Sequence, residues 1–367
     1  MARLTEVAGY FIRLGVVGFG GPNAHIAAMH DDLVRRRGWL DDRHFLDVVG
    51  VTNLIPGPNS SEVAIHIGYL RGGLAGGLVA GLCFLFPAFL MVLALSWAYF
   101  EAGGFRLREE LLAGIQPVAL AAILVTAWRL RSAVVGGWRK PVLGALAFGL
   151  TLWIPPAAPL VILGAGLANL AATRSASRLG MWLALPLAAV APSGGLGAVG
   201  WVFLRTGLLL FGGGLVLVAL LAPEVVGRGW LTRTEFLDGI ALGQATPGPI
   251  TMSAAFVGYA VEGVLGAVVA TAAIYLPSFL AVLAGSGPFL RRFRENPSVS
   301  AFVEGVTAAA LGSVVATAVL LAAALEGWFG YALLTVSAGV LLLRVPVVLV
   351  VLSGGLVGLG AGLLGLV

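Results

Sequence analysis

The chain has 367 residues, of which 59% are hydrophobic and only 11% are charged. Soluble domains carry about 25% charged residues, so this composition excludes an ordinary soluble domain and indicates a membrane protein. The net charge of +5 at pH 7 does not indicate nucleic-acid binding, because the basic residues lie in short segments between apolar runs, as the positive-inside rule describes.

The predicted membrane-spanning elements follow one another along the whole chain. The opening segment carries Arg3 but no small-residue cleavage site, which predicts a retained first helix rather than a signal peptide. A spanning helix needs roughly 20 apolar residues, and uncharged stretches of this kind occupy 72–100, 141–173, 239–261, 263–290, 305–325 and 345–367. Because helices satisfy their own backbone hydrogen bonds in lipid, the fold class is predicted to be an all-α polytopic membrane protein.

A signature in the first part of the chain returns about 190 residues later. Phe19-Gly20-Gly21 returns as Phe211-Gly212-Gly213, and Pro56-Gly57-Pro58 returns as Pro247-Gly248-Pro249. Between these motifs, a Gly-Trp-Leu sequence occurs in both halves. We therefore predict two homologous repeats, an organisation typical of secondary transporters, with about four to five spanning helices each. The predicted division is a first repeat at 1–178, a connector at 179–192 and a second repeat at 193–367.

The segments on either side of the first Pro-Gly-Pro are short. Residues 44–55 and 59–70 are each about a dozen long, too few to cross a bilayer of ~30 Å at 1.5 Å per residue. Proline removes a backbone donor and disfavours helix in the residue before it, whereas glycine permits unusual backbone angles. These features predict a re-entrant helix pair broken at Pro-Gly-Pro. The alternative is one proline-kinked spanning helix.

The orientation of the repeats depends on the number of crossings between them. Four crossings lie between 72 and 173, and a fifth after residue 178 would invert the second half. An inverted second half collects more arginines on one side than a parallel half does, which favours inversion under the positive-inside rule. The arginines and the lysine that this side would hold are Arg35, Arg36, Arg37, Arg43, Arg129, Arg131, Arg139, Lys140, Arg174, Arg178, Arg291, Arg292, Arg294 and Arg344.

Polar residues cluster around both Pro-Gly-Pro motifs, and polar groups inside a bilayer are costly and usually functional. Helices that begin after Pro58 and Pro249 would direct free amides at the turns, an arrangement that suits an anion. The predicted substrate-binding residues of the first repeat are Asn53, Pro56, Gly57, Pro58, Asn59, Ser60 and Ser61. Those of the second are Gln244, Thr246, Pro247, Gly248, Pro249, Thr251 and Ser253. For any single hydroxyl, the alternative to a role in substrate binding is a hydrogen bond to the backbone carbonyl one helical turn earlier.

Two matched arginines and several unmatched residues complete the candidate set. Arg13 and Arg205 precede Phe-Gly-Gly by six residues and could counter an anion, although snorkelling or carboxylate pairing is an equal alternative. Possible coupling residues, present in the first half alone, are Asn23, His25, Glu62 and His66. Glu62 and His66 share a helix face and suggest a proton relay, with a rim carboxylate as the favoured alternative. Asp47 and Asp238 resemble helix-start or interfacial residues.

The sequence contains no motif typical of an enzyme active site. The chain lacks a His-x-x-x-His zinc pair, a phosphate-binding Gly-Lys-Ser/Thr loop and a Gly-x-Ser-x-Gly elbow. Its single cysteine, Cys83, excludes a disulfide framework and a thiolate metal site. The sequence therefore predicts no catalytic residue, no metal and no cofactor.

The combination of motifs resembles the chromate ion transporter family in its two-domain form. The resemblance rests on Phe19-Gly-Gly-Pro22 with His25, on Arg37-Gly-Trp-Leu40, on Pro56-Gly-Pro58 and on their second-half counterparts, and it covers essentially the whole chain. It departs from strict symmetry, since Gly214 and Leu217 stand opposite Pro22 and His25. The resemblance implies a multi-pass inner-membrane exporter of chromate that confers chromate resistance.

The expected function is secondary transport of chromate, or of a related oxyanion such as sulfate, by alternating access. Expelling a dianion from a negative interior gains about 4.6 kcal/mol at 100 mV, so export requires no ATP. The alternatives are a passive oxyanion channel and a lipid scramblase or structural membrane protein. Expected partners are the oxyanion and the lipid bilayer, without nucleic acid, and a homodimer remains open.

Overall fold

The computed structural model describes residues 2–53, 55–101, 108–173, 194–211, 213–285, 296–325 and 327–365, and within these ranges it contains α-helices and no β-strand. The all-α prediction is confirmed. The first-repeat helices are α1 Ala2–Val17, α2 Gly21–Met29, α3 Asp42–Thr52, α4 Asn59–Phe100, α5 Arg108–Arg129, α6 Arg139–Trp153 and α7 Ala158–Ala172. Those of the second are α8 Gly195–Leu209, α9 Val216–Gly227, α10 Arg233–Ala245, α11 Ser253–Gly285, α12 Pro297–Ala322, α13 Gly327–Leu342 and α14 Val347–Leu363.

Five segments of the described chain are long and apolar enough to cross a membrane: Asn59–Phe100, Glu109–Ser132, Pro155–Ala172, Ile250–Ala284 and Pro297–Ala322. Shorter apolar helices accompany them, including α8, α13 and α14. The predicted polytopic architecture is therefore present in both halves. The predicted connector at 179–192 and the arginines predicted at 174, 178, 291, 292 and 294 lie outside the described residues.

Helices α4 and α11 each consist of a short helix followed by a long one. Gly72 and Gly73 have non-helical backbone angles in α4, as do Glu262 and Gly263 in α11. In α4, residues 59–71 fold back along 74–100. The close approach of the two segments is seen at Gly76, where a Cβ would collide with the carbonyl oxygen of Gly68. The segment 59–71 is therefore a separate short helix. Because α3 ends at Thr52 and α4 begins at Asn59, the chain is also broken at Pro-Gly-Pro, and the alternative of one kinked helix through that motif is not observed.

The helix contacts show that the repeats are inverted. Within the first repeat, α1 runs parallel to 74–100, since Gly72 lies beside Leu4 while Gly15 lies beside Phe84. Between repeats, 74–100 and 264–285 run antiparallel, because Gly77 contacts Leu283 and Gly81 contacts Phe279. Corresponding long helices thus point in opposite directions, and the prediction of inverted repeats is confirmed.

Each repeat completes its core with helices of the other. Helix α5 packs against α13 and α14, and α12 packs reciprocally against α6 and α7. Glycine permits these close crossings, as where Gly312 faces the backbone of Gly144 and Gly114 faces that of Gly358. The two halves therefore share one large apolar core, and a smaller cluster of Val51, Ile55, Ile65 and Val282 lies beside the first Pro-Gly-Pro turn.

Candidate functional site

Each Pro-Gly-Pro turn is bonded to the opposite repeat. The Gly57 amide donates to the carbonyl oxygen of Leu210 at 2.9 Å, and the Gly248 amide donates to that of Gly18 at 2.8 Å. Leu210 and Gly18 each directly precede a Phe-Gly-Gly motif, so the two bonds are related by the repeat symmetry. Both turn glycines have positive φ, +149° for Gly57 and +101° for Gly248, a conformation that glycine adopts without Cβ strain.

A helix begins directly after each turn. Helix α4 starts at Asn59 with Pro58 as its N-cap, and a 3-10 helix, Ile250–Met252, starts after Pro249. The first amides of a helix have no acceptor within it, and the dipole places partial positive charge at this end. The amides of Gly57 and Gly248 are bonded to Leu210 and Gly18, so the donors available at the turns are the first amides of the helices that follow them, and anion binding there stays a prediction.

The first-repeat hydroxyls lie beside a histidine. Ser60 and Ser61 are fully buried in the first turn of α4. His25 Nε2 donates to the carbonyl oxygen of Gly18 at 2.8 Å, which leaves Nδ1 as an acceptor 3.4 Å from Ser60 Oγ. Because Gly18 also accepts from Gly248, its carbonyl joins the first-repeat histidine to the second-repeat turn.

The second-repeat hydroxyls are also buried, and most bond locally. Thr251 shares a hydrogen bond with the Tyr275 hydroxyl of α11. Ser253 Oγ donates to the Ile250 carbonyl at 2.9 Å and Thr246 Oγ1 to the Gly243 carbonyl at 3.1 Å, so these two follow the local alternative. Ser61 lies beside Tyr275, which brings hydroxyls of both repeats together.

Glu62 joins the two repeats at the first turn. Its Oε1 accepts from Ser278 Oγ of α11 at 3.0 Å, while its Oε2 has no hydrogen-bond partner in the described structure. The side chain is fully buried, which corrects the favoured interpretation of a rim carboxylate partnered by His66 or an arginine. That interpretation failed because helix 59–71 is enclosed by both α2 and α11. His66 Nδ1 is likewise buried without a partner.

The amide side chains of the two repeats lie in different surroundings. Asn59 connects the ends of the first helix pair, since its Nδ2 donates to Asn53 Oδ1 at 2.6 Å and its Oδ1 accepts from Thr52 at 2.7 Å. Gln244 instead contacts the Ala119 carbonyl of α5 at 3.4 Å and keeps a buried, unpartnered Oε1. Asn23 is exposed on α2.

The matched arginines do not take up matched positions. Arg13 is exposed on α1, whereas Arg205 is mostly buried and forms an ion pair with Glu224 of α9. Glu224 also pairs with Arg228 at 3.0 Å. These contacts favour the alternative of carboxylate pairing for Arg205, and none of them involves a turn residue.

Asp238 corrects a second expectation. It is buried within α10 rather than interfacial, and it accepts from Tyr99 Oη at 2.8 Å and from Gln116 Nε2 at 2.6 Å. Its counterpart Asp47 is exposed. The expectation failed for Asp238 because α10 packs inside the molecule against α5 and α14, whereas α3 lies at the periphery.

Four residues of these networks were not predicted as site residues: Tyr99, Gln116, Tyr275 and Ser278. Two of them carried a signal in the repeat alignment, because Tyr275 and Ser278 stand opposite the apolar residues Leu85 and Ala88. The same kind of departure had singled out Glu62. No cluster of metal-ligating side chains occurs among the described residues, and the chemistry between the turns is that of amide and hydroxyl donors around one carboxylate.

The comparisons with known proteins agree with this architecture. The family model described as "Chromate transporter" matches residues 5–170 and 197–359. A chromate transport protein of Cupriavidus metallidurans is 34% identical, over 99% of this chain and 93% of the relative. A probable chromate transport protein of Synechococcus elongatus is 33% identical, over 87% and 84%. A chromate transport protein of Pseudomonas aeruginosa is 34% identical, over 85% and 79%. No solved structure matches the chain.

Proposed function

The chain belongs to the chromate transporter family, and from this premise we propose that it exports chromate across a bacterial inner membrane by alternating access. It is a multi-pass membrane protein of that family, and the oxyanion substrate follows from its relatives. The direction of transport and the mechanism are the proposal. The observation that carries it is the reciprocal bonding of each Pro-Gly-Pro turn to the other repeat.

The proposed substrate site lies between the two turns. We assign to it donors of both repeats, namely the first amides of α4, the hydroxyls of Ser60 and Ser61, and the hydrogen-bonded hydroxyl pair of Thr251 and Tyr275. Such groups can replace the hydration shell of a tetrahedral oxyanion, and a buried helix N-terminus favours negative charge. The site is a binding site without covalent chemistry.

A difference between the two helix pairs supports alternating access. Leu237 of α10 is fully buried, whereas the matched Leu46 of α3 is 66% exposed. Helix α10 of the second pair is enclosed by α5 and α14, whereas its counterpart α3 is at the periphery. In inverted-repeat transporters the repeats move relative to each other around a fixed site. We propose that the two pairs exchange these environments, and that this exchange opens the site to opposite sides.

The membrane potential is the proposed driving force. A dianion that leaves a negative interior gains about 4.6 kcal/mol at 100 mV. In proteoliposomes with an inside-positive potassium diffusion potential, purified protein is expected to take up radiolabelled chromate with saturable kinetics, and excess sulfate is expected to compete. Protein-free liposomes and zero potential are the controls.

The same assay separates the alternatives. A passive channel would give uptake that rises linearly with chromate concentration, and a lipid scramblase or structural protein would give no chromate uptake. Everted membrane vesicles from expressing cells test the direction, since export from cells corresponds to accumulation in these vesicles. Efflux from them instead would contradict export.

A further inference from the structure

One buried carboxylate breaks the symmetry of the proposed anion site. Glu62 lies in the first turn of α4, and a Cβ on Gly57 would collide with Glu62 Oε1 and Ser278 Oγ, so the carboxylate directly adjoins the turn. The repeat aligns Glu62 with Ser253 of the second repeat and Ser278 with Ala88 of the first. Glu62 and Ser278 are thus a pair with no equivalent at the other turn.

No cation neutralises this carboxylate in the described structure. The nearby titratable groups are His66 on its own helix segment, His25 on α2, whose ring is bonded to Gly18 and Ser60, and Tyr275 on α11, bonded to Thr251. None of the ion pairs of the described residues includes Glu62. An ionised carboxylate buried without a partner is strongly disfavoured.

An oxyanion at the start of α4 would lie close to this carboxylate. Two negative charges in a buried site repel each other far more strongly than they would in water. A protonated carboxyl, by contrast, has a hydrogen that it can donate. Its Oε2 is buried and unpartnered, so it is free to donate that hydrogen to an anion oxygen.

We propose that the oxyanion and one proton bind together, with the proton on Glu62, which is ionised only while the site is open to water. This inference rests on the proposed function and specifies its ionic coupling. The proton comes from water on the side where the anion enters and returns to water on the side where it leaves. Net charge movement is then one negative charge per dianion, so the electrical driving force is half that of a bare dianion. Proton and anion travel in the same direction instead of exchanging.

The coupling has a definite sign. Because the anion-bound state holds the proton more tightly, linkage requires the anion to bind more weakly as pH rises. At pH values above those at which Glu62 binds its proton in the anion-free protein, the affinity for the oxyanion is expected to fall tenfold per pH unit. In that range, binding of one anion is expected to be accompanied by uptake of close to one proton.

The test measures chromate binding by purified wild type, E62Q and H66Q between pH 6 and 9, together with proton uptake in weak buffer. Glutamine keeps the shape and a donor but cannot titrate, so E62Q is expected to bind chromate with no protein-derived proton uptake. Protonation of chromate itself is common to all three proteins and cancels in the comparison. H66Q is expected to behave as the wild type.

Three results would overturn this proposal: equal proton uptake by wild type and E62Q, tighter binding by wild type as pH rises, or loss of the pH dependence in H66Q. Proton uptake by the wild type is informative even if E62Q does not fold, because absence of uptake beyond that of chromate itself also refutes it. Absence of any chromate binding or flux by the wild type would instead refute the proposed function.

Discussion

Gly57→Ala is expected to reduce chromate transport to below a tenth of the wild-type rate. Gly57 has φ +149°, and its Cβ would overlap Ser278 Oγ and Glu62 Oε1 and lie 3.1 Å from Ser278 Cβ. A left-handed backbone costs a non-glycine residue about 1–2 kcal/mol, and overpacking adds about 1–3 kcal/mol. The turn must therefore move, which breaks its bond to Leu210 and displaces the first amides of α4.

Two further glycine substitutions separate the effect of backbone strain on transport from the effect of the steric collision. Gly248→Ala is expected to show a similar defect, because φ is +101° and the new Cβ would lie 2.6 Å from Ala88 Cβ. Gly137 has φ +124° with nothing within 4 Å of a Cβ, so Gly137→Ala is expected to leave transport within about twofold. Flux per folded protein in proteoliposomes is the measurement. Equal activity of Gly57→Ala and wild type would refute the assigned role of the turn.

Asp238→Ala is expected to destabilise the protein by about 2–5 kcal/mol. The substitution leaves the Tyr99 hydroxyl and the Gln116 amide without their acceptor, at about 1–3 kcal/mol for each unsatisfied buried group, and it opens a small cavity. Because these bonds tie α10 to α4 and α5, the loss is expected to loosen the enclosed position of the second helix pair. Thermal unfolding followed by intrinsic fluorescence in detergent measures the effect.

Asp47 provides the control for this substitution. It occupies the same position in the first repeat but is exposed on α3, so Asp47→Ala is expected to change the free energy of unfolding by less than about 1 kcal/mol. Asp238→Asn is expected to be intermediate, since the Gln116 side chain can rotate to accept from the new amide. Equal destabilisation by Asp47→Ala and Asp238→Ala would show that the buried network does not distinguish the repeats.

The architecture was largely predictable because its signals are local and duplicated. Composition identified a membrane protein, the length of the segments around Pro56-Gly57-Pro58 identified short helix pairs, and arginine distribution favoured inversion. Each rests on a property of consecutive residues. The repeat then supplied a second, independent copy of every motif.

The contacts of the site were less predictable because they cross between repeats. Ser278 lies far along the chain from Glu62, and nothing in the sequence around either residue indicates that the two side chains are in contact. Asp47 and Asp238 look alike in the alignment, yet one is exposed and the other buried, because the two helix pairs occupy different environments in one conformation. A symmetric sequence motif cannot predict which member is enclosed.

Binding of chromate to the S60A/T251V double variant tests the central claim most directly, because these hydroxyls come from opposite repeats and each lies two residues after its Pro-Gly-Pro turn. Both changes are small, and thermal unfolding of the variant reports whether the fold is retained. Titration calorimetry of wild type is expected to show one chromate per chain with sulfate competing, and the folded double variant is expected to bind at least tenfold more weakly. Unchanged affinity in a folded double variant would contradict an oxyanion site between the two Pro-Gly-Pro turns.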